Sequence, residues 1–255
     1  MEHNHNDNHE HEEMDPGIMY EQQWVKDLVQ KLQQEIVVLA NKGWLGLDDS
    51  KSQRVLDYAC GHGTISLALL EAFPSATFQG LDSHPAQVQR FNDEAQKALE
   101  PGSSQSRMWA KVGDLSTSPA KDFETEEWFD FDAIIMSMAL HHVKDPLQML
   151  RQLKKRLRRG GTLVIIEFHG AEHRKHDHYG RQDSGNDEME MIYAPGGQKI
   201  WPGLNKSWLD QALADAGFDK ASIDIVPGPT FTIPEELSQH SHGGEKQLVF
   251  AKAVA

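Results

Sequence analysis

A strand, a glycine-bearing turn and a helix follow one another over residues 55–70, and this stretch constrains the fold more than any other part of the chain. It reads VLDYACGHGTISLALL, with Gly61 and Gly63 in the turn. Glycine lets the backbone approach a ligand closely, and the first turn of a helix has free N–H groups. The arrangement predicts a nucleotide-type binding site at the mouth of a parallel sheet.

Strands and helices alternate after residue 53. Predicted strands cover 54–59, 76–81, 107–112, 131–137, 162–168, 223–226 and 246–253, and predicted helices cover 64–73, 85–99, 145–159 and 205–216. We expect Ser83 to cap the helix that begins at Pro85, and Gly160-Gly161 to stop the helix before the fifth strand. Such alternation predicts an α/β fold with a doubly wound, mostly parallel sheet and helices on both faces.

The first fifty residues divide into a tail and a helix. Residues 1–16 are acidic, rich in histidine and nearly without apolar residues, which predicts a disordered tail whose histidines are solvated. Apolar residues at helical spacing predict an amphipathic helix over 18–40 with a stop at Gly43. We expect residues 17–50 to form a lid on a single domain that spans residues 17–255.

Residues 169–204 interrupt the alternation and are rich in His, Gly, Asp and Pro. Loops of this length in compact domains are usually functional or disordered, so we expect an insertion that covers the substrate. His169, His173, His176 and His178 lie within it. An exposed polar loop, a lining of the substrate pocket and a metal site all fit this cluster, and we predict no metal.

Asp82, Asp114 and residues 137–142 come at the ends of further predicted strands, where open α/β sheets bind their ligands. Asp82 follows the glycine turn by about twenty residues, where an acid can accept hydrogen bonds from ribose hydroxyls. A dinucleotide-binding Rossmann fold stays open as an alternative, although its spacing of three glycines is missing.

On these motifs the chain resembles the class I S-adenosylmethionine-dependent methyltransferases, and among them the quinone-type and secondary-metabolite enzymes. The family's first motif is acid-x-Gly-x-Gly-x-Gly, and here it reads DYACGHG over 57–63, with Ala59 in place of the first glycine. The closing pattern RRGGTLVIIEF over 158–168 also matches. The resemblance covers 53–168 well and 205–253 more loosely. It implies a Rossmann-like, seven-stranded sheet with a C-terminal antiparallel strand.

The resemblance also implies S-adenosyl-L-methionine as cofactor and S-adenosyl-L-homocysteine as product. Asp57 would orient the amino group of the methionine moiety, Asp82 would hold the ribose, and Asp114 with Leu115 would contact the adenine. The other implied cofactor contacts are Tyr20, Ala59, Gly61, Gly63, Ser83, Ser137 and Met138. The alternative for each aspartate is a helix cap or a strand-end turn.

Methyl transfer to an oxygen or nitrogen of high pKa needs a general base, and histidine is the usual choice. His141 and His142 follow the fourth strand and His169 follows the fifth, so these three are the candidate bases. For the first two, packing or loop capping is the alternative. Cys60 is interpreted as a small packed side chain, and His62 as either a neighbour of the cofactor or a passive filler of the turn.

The composition limits the partners that we expect. With 25 Lys and Arg against 39 Asp and Glu the formal charge is −14, which disfavours stable binding to a phosphate backbone. No apolar run is as long as the roughly 18 residues that a membrane-spanning helix requires. One cysteine and no signal peptide favour the cytoplasm. We therefore expect a monomer or homodimer that methylates O, N, S or C of a small, apolar or aromatic metabolite. A protein- or RNA-directed methyltransferase and a non-catalytic cofactor-binding partner are the alternatives.

Overall fold

The computed structural model describes residues 21–99, 107–116, 121–169, 192–193, 199–200, 204–234 and 244–255. The helices are α1 (Gln23–Asn41), α2 (Thr64–Leu70), α3 (Pro85–Ala98), α4 (Pro146–Arg156) and α5 (Lys206–Asp215). The strands are β1 (Arg54–Tyr58), β2 (Thr77–Asp82), β3 (Met108–Val112), β4 (Phe131–Ser137), β5 (Leu157–Phe168), β6 (Ile192–Tyr193), β7 (Lys199–Ile200), β8 (Asp224–Ile233) and β9 (Gly244–Val254). Short 3₁₀ turns include Leu140–His142, directly after β4.

Seven of these strands form one sheet in the order β3-β2-β1-β4-β5-β9-β8. β1 pairs in parallel with both β2 and β4, while β9 runs antiparallel to its neighbours β5 and β8. The chain winds outward from β1 to β3 and then returns to β4, so the strand order reverses between β1 and β4. Open α/β sheets bind ligands at the carboxyl ends of the strands at such a reversal. The predicted Rossmann-like sheet with its antiparallel C-terminal strand is confirmed.

Alternating side chains divide the core into two layers, one on each face of the sheet. On β5, Leu163 and Ile165 pack with α4 and α5, whereas Val164 and Ile166 pack with α1, α2 and α3. All four side chains are fully buried, which is what a near-continuous apolar run in a doubly covered sheet predicts. The prediction of helices on both faces is confirmed.

The N-terminal helix α1 belongs to one of these layers. It buries Leu28, Leu32 and Ile36 in the same cluster as residues of α2 and β8. It begins at Gln23 rather than at residue 18, and residues 18–20 lie outside the described ranges. Its apolar stripe is therefore part of the core, and its action as a lid stays a prediction.

The orientation of α1 bears on that prediction. The amide Nε2 of Gln33 donates to the carbonyl oxygen of Thr64, the first residue of α2, at 3.3 Å. The ends of both helices, Asn41 and Phe73 among them, line one cavity at the opposite edge of the sheet. α1 and α2 therefore run in the same general direction, with residues 23–32 of α1 preceding the position that contacts the start of α2.

The boundary between α4 and β5 differs from the prediction. α4 ends at Arg156 and β5 begins at Leu157, so Gly160-Gly161 does not stop the helix. The cause is tertiary pairing: Leu157 is paired with Phe131 of β4, and Nε of Arg158 donates to a carboxylate oxygen of Asp132 at 2.6 Å. β8 likewise extends to Ile233 instead of ending at Val226, because its second half pairs with the start of β9.

Of the predicted insertion over 169–204, the structure describes His169, the strands β6 and β7, and Leu204. β6 and β7 pair antiparallel, and β7 lies beside the 3₁₀ turn Leu140–His142. The N–H of Leu204 donates to the carbonyl of Phe168 at 3.0 Å, so the insertion starts and ends at the carboxyl end of β5. The predicted tail 1–16, Tyr20 and the histidines at 173, 176 and 178 lie outside the described ranges. Within those ranges, no helix is long and apolar enough to cross a membrane.

Candidate functional site

The turn after β1 is strained and tightly packed. Ala59, Gly61 and Gly63 have φ values of +55°, +52° and +90°, in the left-handed region. A Cβ atom at Gly63 would lie 2.9 Å from the ring of Phe91 and 3.0 Å from Met108, so only glycine fits between α2, α3 and β3. Ala59 adopts a conformation that L-residues avoid, at a cost of about 1–2 kcal/mol. Such strain is concentrated at functional sites.

Cys60 and His62 lie in this turn and have different surroundings. The thiol of Cys60 is buried against Gly80, where a Cβ atom would lie 2.8 Å from the sulfur. This fits the interpretation of Cys60 as a packed small side chain, and burial raises the pKa of its thiol. Nε2 of His62 lies 3.0 Å from the hydroxyl of Thr64, and burial lowers the pKa of its ring.

Asp57, at the carboxyl end of β1, is a buried acid with one short local hydrogen bond. The hydroxyl of Ser66 in α2 donates to the carboxylate of Asp57 at 2.7 Å, and Asp57 is only 2% exposed. Burial raises the pKa of Asp57 to about 7, against the opposing effect of the Ser66 hydrogen bonds and with a further contribution from the charge of Asp82. Among the described residues no Lys or Arg forms an ion pair with Asp57. The site is therefore one that a cationic group would stabilise.

Asp82, at the end of β2, holds the backbone of the neighbouring loops. Its two carboxylate oxygens accept the N–H groups of Gly61 and His84, each at 2.9 Å. Nδ1 of His84 lies 3.5 Å from the same carboxylate. Each carboxylate oxygen has a second lone pair, so these contacts leave room for a hydroxyl donor.

The predicted cap at Ser83 is wrong. The helix α3 begins after His84, which occupies the N-cap position without a side-chain cap, and Ser83 is exposed. The hydroxyl of Ser83 contacts the ring nitrogen Nδ1 of His84 at 3.1 Å. The carboxylate of Asp82 accepts the N–H of His84 instead, because an aspartate side chain readily bonds to the backbone two residues further on. A cofactor contact for Ser83 stays a prediction.

Asp114, after β3, is held by its own turn. Its carboxylate accepts the hydroxyl of Tyr58 at 2.9 Å and both the N–H and the hydroxyl of Ser116 at 2.8 and 2.6 Å. Burial would raise the pKa of Asp114, but these hydrogen bonds outweigh burial and lower it. The N–H of the buried Leu115 donates to the hydroxyl oxygen of Tyr58 at 3.2 Å. These contacts match the strand-end turn that was the alternative for Asp114.

The end of β4 faces the glycine turn across the reversal of strand order. Ser137 and Met138 are half-buried, and Met138 has φ +54°. Its N–H donates to the carbonyl of Ile166 in β5 at 2.8 Å. Ala59 and Met138 are thus two non-glycine residues in the left-handed region, at the ends of the adjacent strands β1 and β4. Their placement marks the crevice between these strands as the candidate site.

His141 forms a buried pair with Glu167, which lies near the end of β5. Nδ1 of its ring lies 2.7 Å from Oε2 of Glu167, and its backbone N–H donates to Oε1 at 3.2 Å. Glu167 is fully buried and His141 is 6% exposed. If Nδ1 carries the proton, as this hydrogen bond favours, Nε2 keeps a free lone pair. A carboxylate that orients an imidazole in this way is the arrangement found in base-catalysed transfer reactions.

His142 and His169 differ from His141. His142 is exposed, and its ring lies tilted by 41° against that of His141, with centroids 4.1 Å apart. The surrounding protein and His141 lower the pKa of His142 to about 4, so its ring is neutral at pH 7 and a weak base. The backbone N–H of His169 donates to Gln247 of β9, on the side of β5 away from His141. Of the three predicted bases, only His141 has a carboxylate partner within the described ranges.

Glu167, Ser66 and Tyr58 are the site residues that the motifs did not reveal. Glu167 stands in the apolar run of β5, where a charge in a fully buried strand is itself a signal that a partner lies nearby. Ser66 lies nine residues after Asp57, on the first turns of α2. No group of three or more His, Cys, Asp or Glu residues that could hold a metal occurs in the described part of the chain.

Comparisons with known proteins indicate the family of the chain. A family model described as a methyltransferase domain matches residues 24–223. A 27-O-demethylrifamycin SV methyltransferase of Amycolatopsis mediterranei is 30% identical over 115 residues, which cover 45% of this chain and 38% of that protein. A tRNA U34 carboxymethyltransferase of Idiomarina loihiensis is 31% identical over 119 residues, covering 47% of this chain and 34% of that protein. The chain spans less than half of the length of the curated relatives that it matches.

Solved structures share the fold across most of the chain. The phosphoethanolamine N-methyltransferase 2 of Haemonchus contortus, solved with S-adenosyl-L-methionine, has a TM-score of 0.55 and 15% identity. The similarity covers 87% of this chain and 52% of that one. Since the family model spans well over half of the sequence and the sheet has the expected order, the chain belongs to the methyltransferase-domain family and has the class I methyltransferase fold.

Proposed function

We propose that this chain transfers the methyl group of S-adenosyl-L-methionine to a hydroxyl oxygen of a small molecule. The observation that carries the proposal is the buried pair of His141 and Glu167, across the β1–β4 crevice from the glycine turn. A base held by a carboxylate serves an acceptor that must lose a proton.

The glycine turn and its two acids fit this cofactor. S-adenosyl-L-methionine supplies a sulfonium methyl group that an acceptor attacks in line, so that the S–CH₃ bond breaks and the sulfur keeps the electron pair. Its ammonium and sulfonium groups are cationic, and Asp57 and Asp82 have no Lys or Arg ion-pair partner among the described residues. Asp57 would hold the ammonium and Asp82 the ribose hydroxyls.

The chain's own residues would then position the acceptor and take its proton. Nε2 of His141 would accept the hydroxyl proton as the O–CH₃ bond forms. Glu167 keeps the ring oriented, and its negative charge offsets the charge that the ring acquires. Apart from this proton, the task of the protein is positioning and exclusion of water.

Titration calorimetry with S-adenosyl-L-homocysteine tests the cofactor site. We expect binding that Asp82→Ala reduces by at least 100-fold, because charge-assisted hydrogen bonds to ribose are lost. Asp224→Asn is the matched control, since Asp224 is an exposed acid at the start of β8, on the opposite edge of the sheet. Equal affinities for all three proteins would contradict the ribose assignment.

Transfer of label from methyl-labelled cofactor into a cell extract tests the acceptor class. We expect label in the small-molecule fraction, and its loss in His141→Ala but not in His169→Ala. A protein- or RNA-directed enzyme is the alternative, because one relative is a tRNA U34 carboxymethyltransferase, and label confined to RNA or protein would establish it. Cofactor binding without any transfer would instead indicate a non-catalytic partner. A cytoplasmic location and a monomeric or homodimeric state stay predictions.

A further inference from the structure

Four ring side chains lie in contact along the carboxyl edge of the sheet. This ring row consists of His142, His141, Phe168 and Phe231, in that order. The ring centroids of successive members are 4.1, 5.6 and 5.3 Å apart. The row starts in the turn after β4, passes the end of β5 and reaches β8, so it runs away from the cofactor side of the crevice.

The ring row has a buried part and an accessible part. His141 and Phe231 are 6% and 4% exposed, whereas His142 is exposed and Phe168 is half-buried. The planes of neighbouring rings are inclined by 41°, 43° and 32°, which leaves tilted faces and edges rather than a closed stack. Aromatic rings interact best with other rings in offset or edge-to-face geometry. The two accessible members, His142 and Phe168, can therefore make ring–ring contacts with a flat aromatic molecule. A saturated molecule of the same size cannot make these contacts.

The chemistry of the base selects among hydroxyl groups. A phenol has a pKa of about 10, and a hydroxyl as weakly acidic as that of water has a pKa of about 15.7. Proton transfer to one and the same base is therefore easier from the phenol by about 6 units. An acceptor that is already anionic needs no base and would leave the pair of His141 and Glu167 without a task. The pair thus suits a phenolic hydroxyl better than an alkanol or a carboxylate.

We propose that the acceptor is a neutral aromatic compound with a phenolic hydroxyl, whose ring lies along the ring row with its oxygen at Nε2 of His141. This proposal rests on the proposed function and names the substrate class of the same site. The O–H bond breaks with its proton passing to His141, and the O–CH₃ bond forms as the S–CH₃ bond of the cofactor breaks. The products are an aryl methyl ether and S-adenosyl-L-homocysteine.

Two probes with the same two-ring frame test this proposal on the full chain saturated with S-adenosyl-L-homocysteine. One is 2-naphthol, and the other is its saturated analogue, decahydro-2-naphthol. Calorimetry should show 2-naphthol binding more tightly, and mass spectrometry with S-adenosyl-L-methionine should detect 2-methoxynaphthalene but no methyl ether of the saturated alcohol. Equal binding of the two probes, or preferential methylation of the saturated alcohol, would overturn the proposal. Failure of S-adenosyl-L-homocysteine itself to bind would instead overturn the proposed function.

A ring-removing variant separates stacking from general packing. Phe168→Leu should weaken 2-naphthol binding by about 2- to 10-fold, which is the usual contribution of an aromatic pair in addition to the burial of apolar area. The affinity for S-adenosyl-L-homocysteine should stay within twofold. Phe73→Leu is the matched control, because Phe73 is a buried phenylalanine beyond the end of α2, at the other edge of the sheet. Unchanged 2-naphthol binding in Phe168→Leu, or an equal loss in Phe73→Leu, would contradict a role for the ring row.

Discussion

The buried acids in the two halves of the crevice between β1 and β4 have different hydrogen-bond partners. The proposed cofactor half lies at the ends of β1, β2 and β3, and its acids Asp57 and Asp82 accept hydrogen bonds from a hydroxyl and from backbone N–H groups. The proposed acceptor half lies at the ends of β4, β5 and β8, and both carboxylate oxygens of its acid Glu167 contact His141. Asp57, which has no Lys, Arg or His ion-pair partner among the described residues, is suited to hold a cation from outside, whereas Glu167, paired with His141, is suited to proton transfer. If the proposed roles are right, we expect cofactor binding and proton removal to be disrupted by different substitutions.

The largest expected effect is on turnover in the acceptor half. His141→Ala should lower the rate of methyl transfer by about 10²- to 10⁴-fold, because a general base contributes that much. Binding of S-adenosyl-L-homocysteine should stay within twofold, as measured by calorimetry. His142→Ala is the matched control, and we expect less than a tenfold loss, because the low pKa of His142 makes it a weak base. A similar loss of turnover in both variants would show that His141 and His142 do not differ in role as proposed.

In the proposed cofactor half, Asp57→Asn should weaken the binding of S-adenosyl-L-homocysteine and raise the free energy of unfolding. Loss of the carboxylate should weaken S-adenosyl-L-homocysteine binding by roughly 10- to 100-fold, the usual contribution of a charged hydrogen bond. The folded protein raises the pKa of Asp57 from 3.8 to about 7, so ionisation of this group costs folding free energy as the pH rises from about 4 to about 7. The variant lacks this cost, which amounts to at most about 4 kcal/mol. Urea unfolding at pH 8 and pH 4 should show that the advantage of the variant is larger at pH 8.

The pH dependence of cofactor binding should follow the same group. A cationic amino group needs the ionised form of Asp57, so affinity should rise by up to about tenfold per pH unit below pH 7 and level off above it. Calorimetry in buffers of different ionisation enthalpy should detect release of a proton on binding at pH 6. Asp57→Asn should abolish both effects, and a wild-type affinity that is independent of pH between 5 and 8 would exclude this linkage.

The smallest expected effect concerns the strained turn. Ala59→Gly should relieve the left-handed conformation at φ +55° and change the free energy of unfolding by no more than about 1 kcal/mol, because glycine also gains entropy when unfolded. Ala59→Val should destabilise the protein by more than that and weaken cofactor binding. Thermal unfolding and calorimetry of both variants check this order, and a stable Val variant with normal affinity would show that the turn tolerates bulk.

The side-chain contacts around Asp57 and Asp82 are local in sequence, whereas the contact of His141 is not, so a sequence motif can point to the first group more readily than to the second. Asp57 and Ser66 are nine residues apart, and Asp82 reaches Gly61 within one strand–turn–helix–strand unit. The partner of His141 is 26 residues away, and their contact depends on the register of β4 against β5. Nothing in the spacing of the motif that contains His141 shows this register.

Pairing between distant strands also explains why the sequence predicted the end of α4 at the wrong residue. Glycine and a run of helix-forming residues predicted a helix to residue 159, yet the pairing of Leu157 with Phe131 begins the strand earlier. A Cβ atom at Gly161 would lie 2.8 Å from the carbonyl oxygen of Phe131, so this glycine allows close approach of strands rather than ending a helix. Tertiary pairing overrides local propensity at this point.

Calorimetric titration of S-adenosyl-L-homocysteine into the wild-type chain, Asp82→Ala and Glu167→Gln tests the separation of the two halves most directly. We predict binding to the wild type, a loss of at least 100-fold in Asp82→Ala, and an affinity within twofold of wild type in Glu167→Gln. A folded wild-type chain that does not bind, or a Glu167→Gln variant that loses as much affinity as Asp82→Ala, would contradict the account.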